Sequence, residues 1–395
     1  MRHTIILLIL SAFLAVAIRR LVCEASDMNT TTSDRRNFLV SAGTGILTSA
    51  VAVASSQLHA ANVPQRSIKL GFDNFAVRAM KWNARQLIDH SVLLGCDSLF
   101  ITDFSPLEGK HDEKSLADIR AYGDDRGISI ELGSWSICPT STQFKKDWGT
   151  AEEHLALGIR MSKAIGSRYF RTILGNQSDR LTDGGIEARI ADTIQVLLSL
   201  RSRAIDSNIK IAVENHAGDM QAWELKGLVE AAGPEYVGVN FDSGNACWSL
   251  EDPFHALTLL APYVLTTSLR DTMVWESATG VTTQWTAMGE GCVDMPALFD
   301  LFENKCPGVA VHIETISGFP REFPLFKSDF WKAFPKARAA DLAAFMALSK
   351  RGRPIDPFKA PENSDRAKAE QDYQLDQISR SIRFCKEKLR LGVRV

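Results

Sequence analysis

Between Ile68 and Glu314 the chain alternates short apolar runs with longer stretches whose apolar residues recur at helical spacing. The runs begin near Ile68 (IKLGFD), Ser98 (SLFITD), Ile128 (ISIEL), Tyr169 (YFRTIL), Ile209 (IKIAVE), Val237 (VGVNFD), Val264 (VLTTSL) and Val309 (VAVHIE). They are rich in β-branched residues and nearly continuous in apolar character, which suits strands buried on both faces. The stretches 84–94, 115–126, 151–165, 186–207, 225–232 and 296–304 read as amphipathic helices. Eight such alternations predict parallel strands with right-handed crossovers, and eight strands close a barrel. The competing topology is an open doubly wound sheet. It requires a Gly-rich phosphate loop after the first strand, and LGFDNFAVRAM has none.

The expected fold is therefore α/β: a (β/α)8 TIM barrel over residues 62–318 with a C-terminal helical extension over 319–395. In that extension SGFPREFPLFKSDFWKAFP reads as an aromatic, proline-rich loop that folds over something. Residues 337–350 and 364–389 read as helices joined by a proline-containing linker. Leu375, Ile378, Ile382 and Cys385 form a narrow stripe on the last helix. That stripe is open to two readings, docking on its own subunit or forming the arm of a homodimer.

Residues 1–60 stand apart as a targeting region. Ser33-Asp34-Arg35-Arg36-Asn37-Phe38-Leu39 has the form of a twin-arginine export signal, followed by a mild apolar stretch and the small-residue site Leu58-His59-Ala60. The expectation is a partner in the twin-arginine export machinery and a periplasmic protein, membrane-anchored if the signal is not cleaved. The earlier apolar run from Thr4 to Ile18 is too short to span a bilayer comfortably, since about 20 residues are needed. Translation is expected to start at Met28. A net charge of −2 with no long basic run argues against a duplex nucleic-acid partner. The seven cysteines contain no CxxC pair, so neither a zinc ribbon nor a small disulfide scaffold is indicated.

Chemistry concentrates where three of the strand-like runs stop on an acid: Glu214 in KIAVENH, Asp242 in VGVNFDSGN and Glu314 in VAVHIET. In a parallel barrel all strand ends share one rim, so these acids can converge. Converging carboxylates repel unless a cation lies among them, and a hard divalent metal is the simplest candidate. An internal salt bridge from Arg171 to Glu214 is the competing reading. His216 would sit at the mouth as acid/base or substrate hydrogen-bonder, whereas His312 suits core packing. Arg270 could grip a substrate carboxylate or sugar oxygen through its donor fork, or pair with Asp271 or Glu290. Glu290 and Asp294 read as structural, Asp294 as a helix cap. Asn74, Arg78 and Trp135 fall at the presumed rim, and Trp248 and Trp285 could stack on a sugar or anchor a lid.

Four stretches, AVENHAGD, VNFDSGNA, LRDT with MGEGCVDMPALF, and VAVHIET, resemble in order the motifs of the fifth to eighth strands of the xylose isomerase-like barrel superfamily of sugar isomerases and epimerases. The resemblance covers nearly all of Ile68 to about Gly318. It implies that Glu214, Asp242 and Glu314 bind a divalent metal, Mn2+ or Mg2+, with Glu214 and Glu314 also serving as acid/base partners. The chain departs from the pattern at Ser268, where sugar epimerases carry a ligating histidine, and at Asn245, where they often carry another. Gln284 is the candidate replacement ligand. Asn74, Trp135, Arg171 and Asn245 are the candidate substrate-binding residues, and His216 and Arg270 join Glu214 and Glu314 as catalytic candidates. The implied activity is a metal-dependent isomerase or epimerase working through an enediolate on a small carbohydrate or sugar acid. A metal-dependent decarboxylase of a 3-oxo sugar acid and a non-catalytic sugar-binding barrel remain alternatives. The multi-histidine site of the related DNA-repair endonucleases is not matched. N-terminal sequencing of the native protein should yield no peptide containing Ile5 or Leu8; finding one would move the start back to Met1.

Overall fold

Eight of the strands form one parallel sheet. They are β1 (Leu70–Asp73), β2 (Ser98–Ile101), β3 (Ser129–Ser136), β4 (Tyr169–Ile173), β5 (Lys210–Glu214), β6 (Val237–Phe241), β7 (Val264–Thr267) and, after a two-strand excursion, β10 (Val311–Ile313). Their order in the sheet is β10-β1-β2-β3-β4-β5-β6-β7. The ring closes where the Leu269 amide donates to the His312 carbonyl at 2.7 Å and the Glu314 amide donates to the Leu269 carbonyl at 2.9 Å. The computed structural model describes residues 65–394; the twin-arginine segment and Met28 lie outside them. Among the described residues no helix is long and apolar enough to cross a membrane.

Strands such as SLFI and VGVNF are buried at every position, as their unbroken apolar character requires. The helices that wrap them follow the expected segments: α1 (Ala84–Leu93), α2 (Glu113–Asp124), α3 (Ala151–Ile165), α4 (Gly185–Ser199), α5 (Arg201–Ser207), α6 (Ala222–Ala232), α7 (Ser243–Trp248), α8 (Pro253–Leu260) and α9 (Met295–Lys305). Asn83 and Thr150 open α1 and α3 as capping boxes with Gln86 and Glu153, and Asp294 caps α9 as expected. The long helix expected over 186–207 is broken at Leu200, whose backbone leaves helical geometry. His312 lies inside the barrel with Nε2 2.9 Å from the Ser98 hydroxyl, which agrees with a packing role.

The excursion between β7 and β10 was not anticipated. β8 (Asp271–Ser277) and β9 (Gly280–Thr286) form an antiparallel hairpin, and β11 (Pro320–Phe323) adds to it by pairing with β9. The segment read as a proline-rich loop thus contributes a strand. Beyond it lie α10 (Ala339–Ser349) and α11 (Arg366–Glu387). The stripe on α11 is spent within the chain: Ile378, Ile382 and Cys385 are buried, Ser381 accepts the Met288 amide at 3.0 Å, and Gln374 accepts the Ala79 amide at 2.8 Å. Barrel and extension form one compact unit, Gln65–Val395.

The end of the chain straps the N-terminal face of the barrel. Buried Asp97 accepts the amides of Leu70, Val393 and Arg394 at 2.8 to 3.0 Å, tying the first strand to the last described residues. Replacing Asp97 with Ala orphans the buried Leu70 amide, at a cost of roughly 1–3 kcal/mol, and releases the amides of the exposed Val393 and Arg394 to water. Asp97→Ala should lower unfolding stability by about 1–3 kcal/mol, read as a shift in the urea midpoint, and should expose the tail to limited proteolysis.

Candidate active site

At the rim where the strands end, six charged side chains lie close together and nearly fully buried. Four are acids: Asp73 closes β1, Glu214 closes β5, Asp242 follows β6 and Glu314 follows β10. Two are cations, Arg171 on β4 and Arg270 after β7. Arg171 Nε donates to Glu214 Oε2 at 2.6 Å, and its Nη1 donates to the Ser134 carbonyl at 3.0 Å. Arg270 Nη2 donates to both Asp242 Oδ2 and Glu314 Oε2. The salt bridge read as the alternative for Glu214 is therefore present. The pairings considered for Arg270 are not: Asp271 accepts the amides of Thr272, Gly289 and Gly291, and Glu290 pairs with Arg380.

Backbone geometry makes room for these guanidiniums. A Cβ at Gly133 would come within 2.8 Å of the Arg171 Cβ. A Cβ at Gly244 would collide with the Arg270 side chain and reach 2.8 Å from Trp285 Nε1. Arg270 is also held from outside. Its Cζ lies 4.1 Å from the Trp285 ring centroid, Trp285 stacks on Trp248 at 3.9 Å, and Arg321 from β11 lies 4.0 Å from the far indole. Two cations sandwich two indoles, each worth about 0.5–2 kcal/mol of cation–π attraction.

Neutral donors complete the shell. Glu214 takes Asn240 Nδ2 on Oε2 at 2.6 Å and Asn245 Nδ2 on Oε1 at 3.1 Å; Asn245 Nδ2 also reaches Asp242 Oδ2 at 2.7 Å. Ser268, in the place of the expected histidine, bridges Asn240 and Asp73 with bonds of 3.1 Å on each side. Sequence reading had not included Asp73 or Asn240. The signal for Asp73 was available, since LGFD stops on an acid as the other three runs do.

These contacts split the acids. Burial works to raise Glu214, but Arg171, His216 and the Arg171 hydrogen bond outweigh it and hold the carboxyl below its ordinary value. Burial raises Glu314 well above the ordinary range, with Arg270 opposing and Asp73, Glu214 and Asp242 adding to the rise. Burial likewise lifts Asp242 to about 7 against Arg270, and Asp73 to about 6. His216 is pushed down to about 4, chiefly by burial; its Nδ1 lies 2.6 Å from the Gly175 carbonyl, which fixes the neutral Nδ1–H form.

The donor set suits a divalent cation. Glu214, Asp242 and Glu314 each offer an oxygen within 4.8 Å of the others, close enough to converge on one ion. With all groups ionised, four negative charges face two positive ones. Asn240 and Asn245 each keep a buried carbonyl oxygen without a partner. Arg270 holds one oxygen each of Asp242 and Glu314, so it lies beside the point on which the three carboxylates converge.

The remaining candidates fall in three places. Trp135 meets His216 edge-on at 5.7 Å, which brings it beside the carboxylates. Asn74 is locked into the neighbouring loop, its Oδ1 taking the Thr102 amide at 2.8 Å and its Nδ2 reaching Asp103 at 3.1 Å. Gln284 does not join the acids. Trp285 faces Arg270, so the alternation of β9 turns Gln284 to the other face, where its Nε2 donates to the Asp356 carbonyl at 3.1 Å. Arg78, exposed at the rim, feels the charges of Glu314 and Arg270.

Comparison with known proteins agrees with this architecture. The chain is 23% identical over 205 residues to the 3-oxo-isoapionate decarboxylase of Pectobacterium atrosepticum, a match covering 51% of this chain and 64% of that protein, short of two thirds of its length. Among solved structures it is similar to a D-psicose 3-epimerase in the presence of D-fructose (TM-score 0.52, 13% identity, covering 81% of this chain and 98% of that one). It is also similar to an L-ribulose 3-epimerase (TM-score 0.50, 16% identity, 79% and 96%). At these identities the structural likeness speaks for the fold. The family model of the xylose isomerase-like TIM barrel matches residues 88–328, more than half of the sequence, and the chain belongs to that family.

Proposed function

We propose that this chain is a divalent-cation-dependent isomerase or epimerase acting beside a carbonyl of a carbohydrate or sugar acid. The observation that carries the reading is the convergence of Glu214, Asp242 and Glu314, each offering an oxygen within 4.8 Å of the others, with Glu214 and Glu314 delivered from strands three places apart in the ring. Two carboxyls whose environments drive their proton affinities apart are suited to act as base and acid. Glu214, kept ionised by Arg171, is the group to take a proton from the substrate carbon. Glu314, three strands away in the ring, is the group to return one to the neighbouring carbon or to the opposite face. A bound Mn2+ or Mg2+, held by Glu214, Asp242 and Glu314 in an all-oxygen set, would supply Lewis-acid polarisation of the substrate carbonyl and stabilise the resulting enediolate. Asn245 holds Glu214 and Asp242 at a fixed separation. Neutral His216 leaves Nε2 free to accept from a substrate hydroxyl.

A second reading has its own support. Arg270 presents a guanidinium in the midst of the acids, Ser268 replaces the expected histidine, and one relative is named for decarboxylation. With a 3-oxo acid, Arg270 would hold the substrate carboxylate. The carbon–carbon bond would break to release CO2, its electron pair would pass to the carbonyl, and Glu314 would protonate the carbon left behind.

Two measurements test these assignments. Glu214→Gln and Glu314→Gln should each weaken Mn2+ binding at least about tenfold, the scale on which ligand surroundings act. Glu290→Gln, whose carboxylate pairs with Arg380 away from the acids, should retain it; equal retention in all three variants would refute the cation site. With keto-sugars in D2O, the Mn2+-loaded protein should place deuterium on the carbon beside the carbonyl. Glu314→Gln should slow this by roughly 10²–10⁴-fold, the range of a general acid/base. Release of CO2 from a 3-oxo sugar acid, without deuterium entry into ketoses, would favour the second reading and overturn the first.

A further inference from the structure

The loops after β1, β2 and β3 enclose a cavity of about 980 Å³ at the same rim as the carboxylates. Small-molecule sites run from roughly 300 to 1,000 Å³, so this one lies at the upper end. Its walls include Phe75, Trp82, Trp135 and Trp148 with Arg78 and Lys145. Glu214, Asp242 and Glu314 do not line it. A single sugar ring held at the acids would therefore leave this volume for another group.

The cavity is joined to the reaction centre by two contacts already described. Ser134 in its wall accepts from Arg171, and Trp135 in its wall meets His216. Trp135 is its central platform. The ring runs nearly parallel to Phe75, at 16° and 6.5 Å, and its indole N–H is buried without a partner. Lys145, an exposed side chain, lies 4.9 Å from the ring centroid.

We propose that this cavity is a second sugar subsite, and that the substrate is a glycoside: a disaccharide or an aryl glycoside whose second ring stacks on Trp135. The inference rests on the reading of the carboxylates as the reaction centre and adds the substrate class. A pyranose presents a face of slightly positive C–H groups, which an aromatic face attracts for the reason that it attracts a cation. The ring would take the place of the Lys145 ammonium over the indole, and Lys145, an exposed side chain, would turn out to solvent.

Calorimetric titration of the intact protein with glucose, cellobiose and p-nitrophenyl glucoside tests this without turnover. Each glycoside should bind about tenfold tighter than glucose or better, a step that needs about 55 Å² of additional apolar surface to be covered. Trp135→Ala should erase that preference, and Lys145→Ala, which uncovers the indole, should keep or increase it. Equal affinity for all three sugars, failure of both glycosides to bind, survival of the preference in Trp135→Ala or its loss in Lys145→Ala would each overturn the subsite. Mn2+ titration of the same preparations reports on the carboxylates independently, so failure of the subsite and failure of the reaction centre are distinguishable.

Discussion

The arrangement at the barrel mouth depends on one electrostatic constraint: four carboxylates and two guanidiniums are removed from water within a single cluster. Neither set could be buried alone, because an unpaired buried charge costs several kcal/mol. Arg171 satisfies Glu214 and leaves it anionic. Arg270 is divided between Asp242 and Glu314 and cannot fully offset both, so their proton affinities stay high. The same imbalance that makes the cluster costly gives it its chemical range. It can accept a cation, retain a proton, or admit an anionic group to Arg270, and each choice alters the others.

The closed parallel ring is what permits this concentration. Residues from β1, β4, β5, β6 and β10, up to 241 positions apart between Asp73 and Glu314, are delivered to one rim because every strand points the same way. Two uncharged side chains regulate their spacing. Asn245 spans Glu214 and Asp242, and Ser268 ties Asp73 to Asn240. A substitution that looks like the loss of a ligand is, in this chain, a hydroxyl that connects Asp73 to Asn240, itself a donor to Glu214.

Much of this could be read from the chain itself. The barrel was legible because doubly buried strands are unbroken apolar runs, and the three convergent acids because each ends such a run. Asp73 carries the same mark, ending the run IKLGFD. The β8–β9–β11 sheet was hidden for a different reason. Its partners are separated by helix α9 and strand β10, and the Pro320–Phe323 stretch has proline and charge where a strand signal would be sought. Gln284 was misplaced by the same omission, since only the pairing of β9 reveals which way its side chain turns. The role of Arg270 was unreadable because it depends on Gly244 and Trp285, which arrive from other segments.

The Arg321–Trp248–Trp285–Arg270 stack gives the C-terminal region a bearing on the centre that its distance in sequence conceals. β11 lies beyond the last barrel strand, yet its arginine presses through two indoles on the guanidinium that divides Asp242 from Glu314. Barrel and tail are consequently not interchangeable modules. Grafting another protein's tail onto this scaffold would remove one side of a vise, and the charge it grips would be free to settle elsewhere.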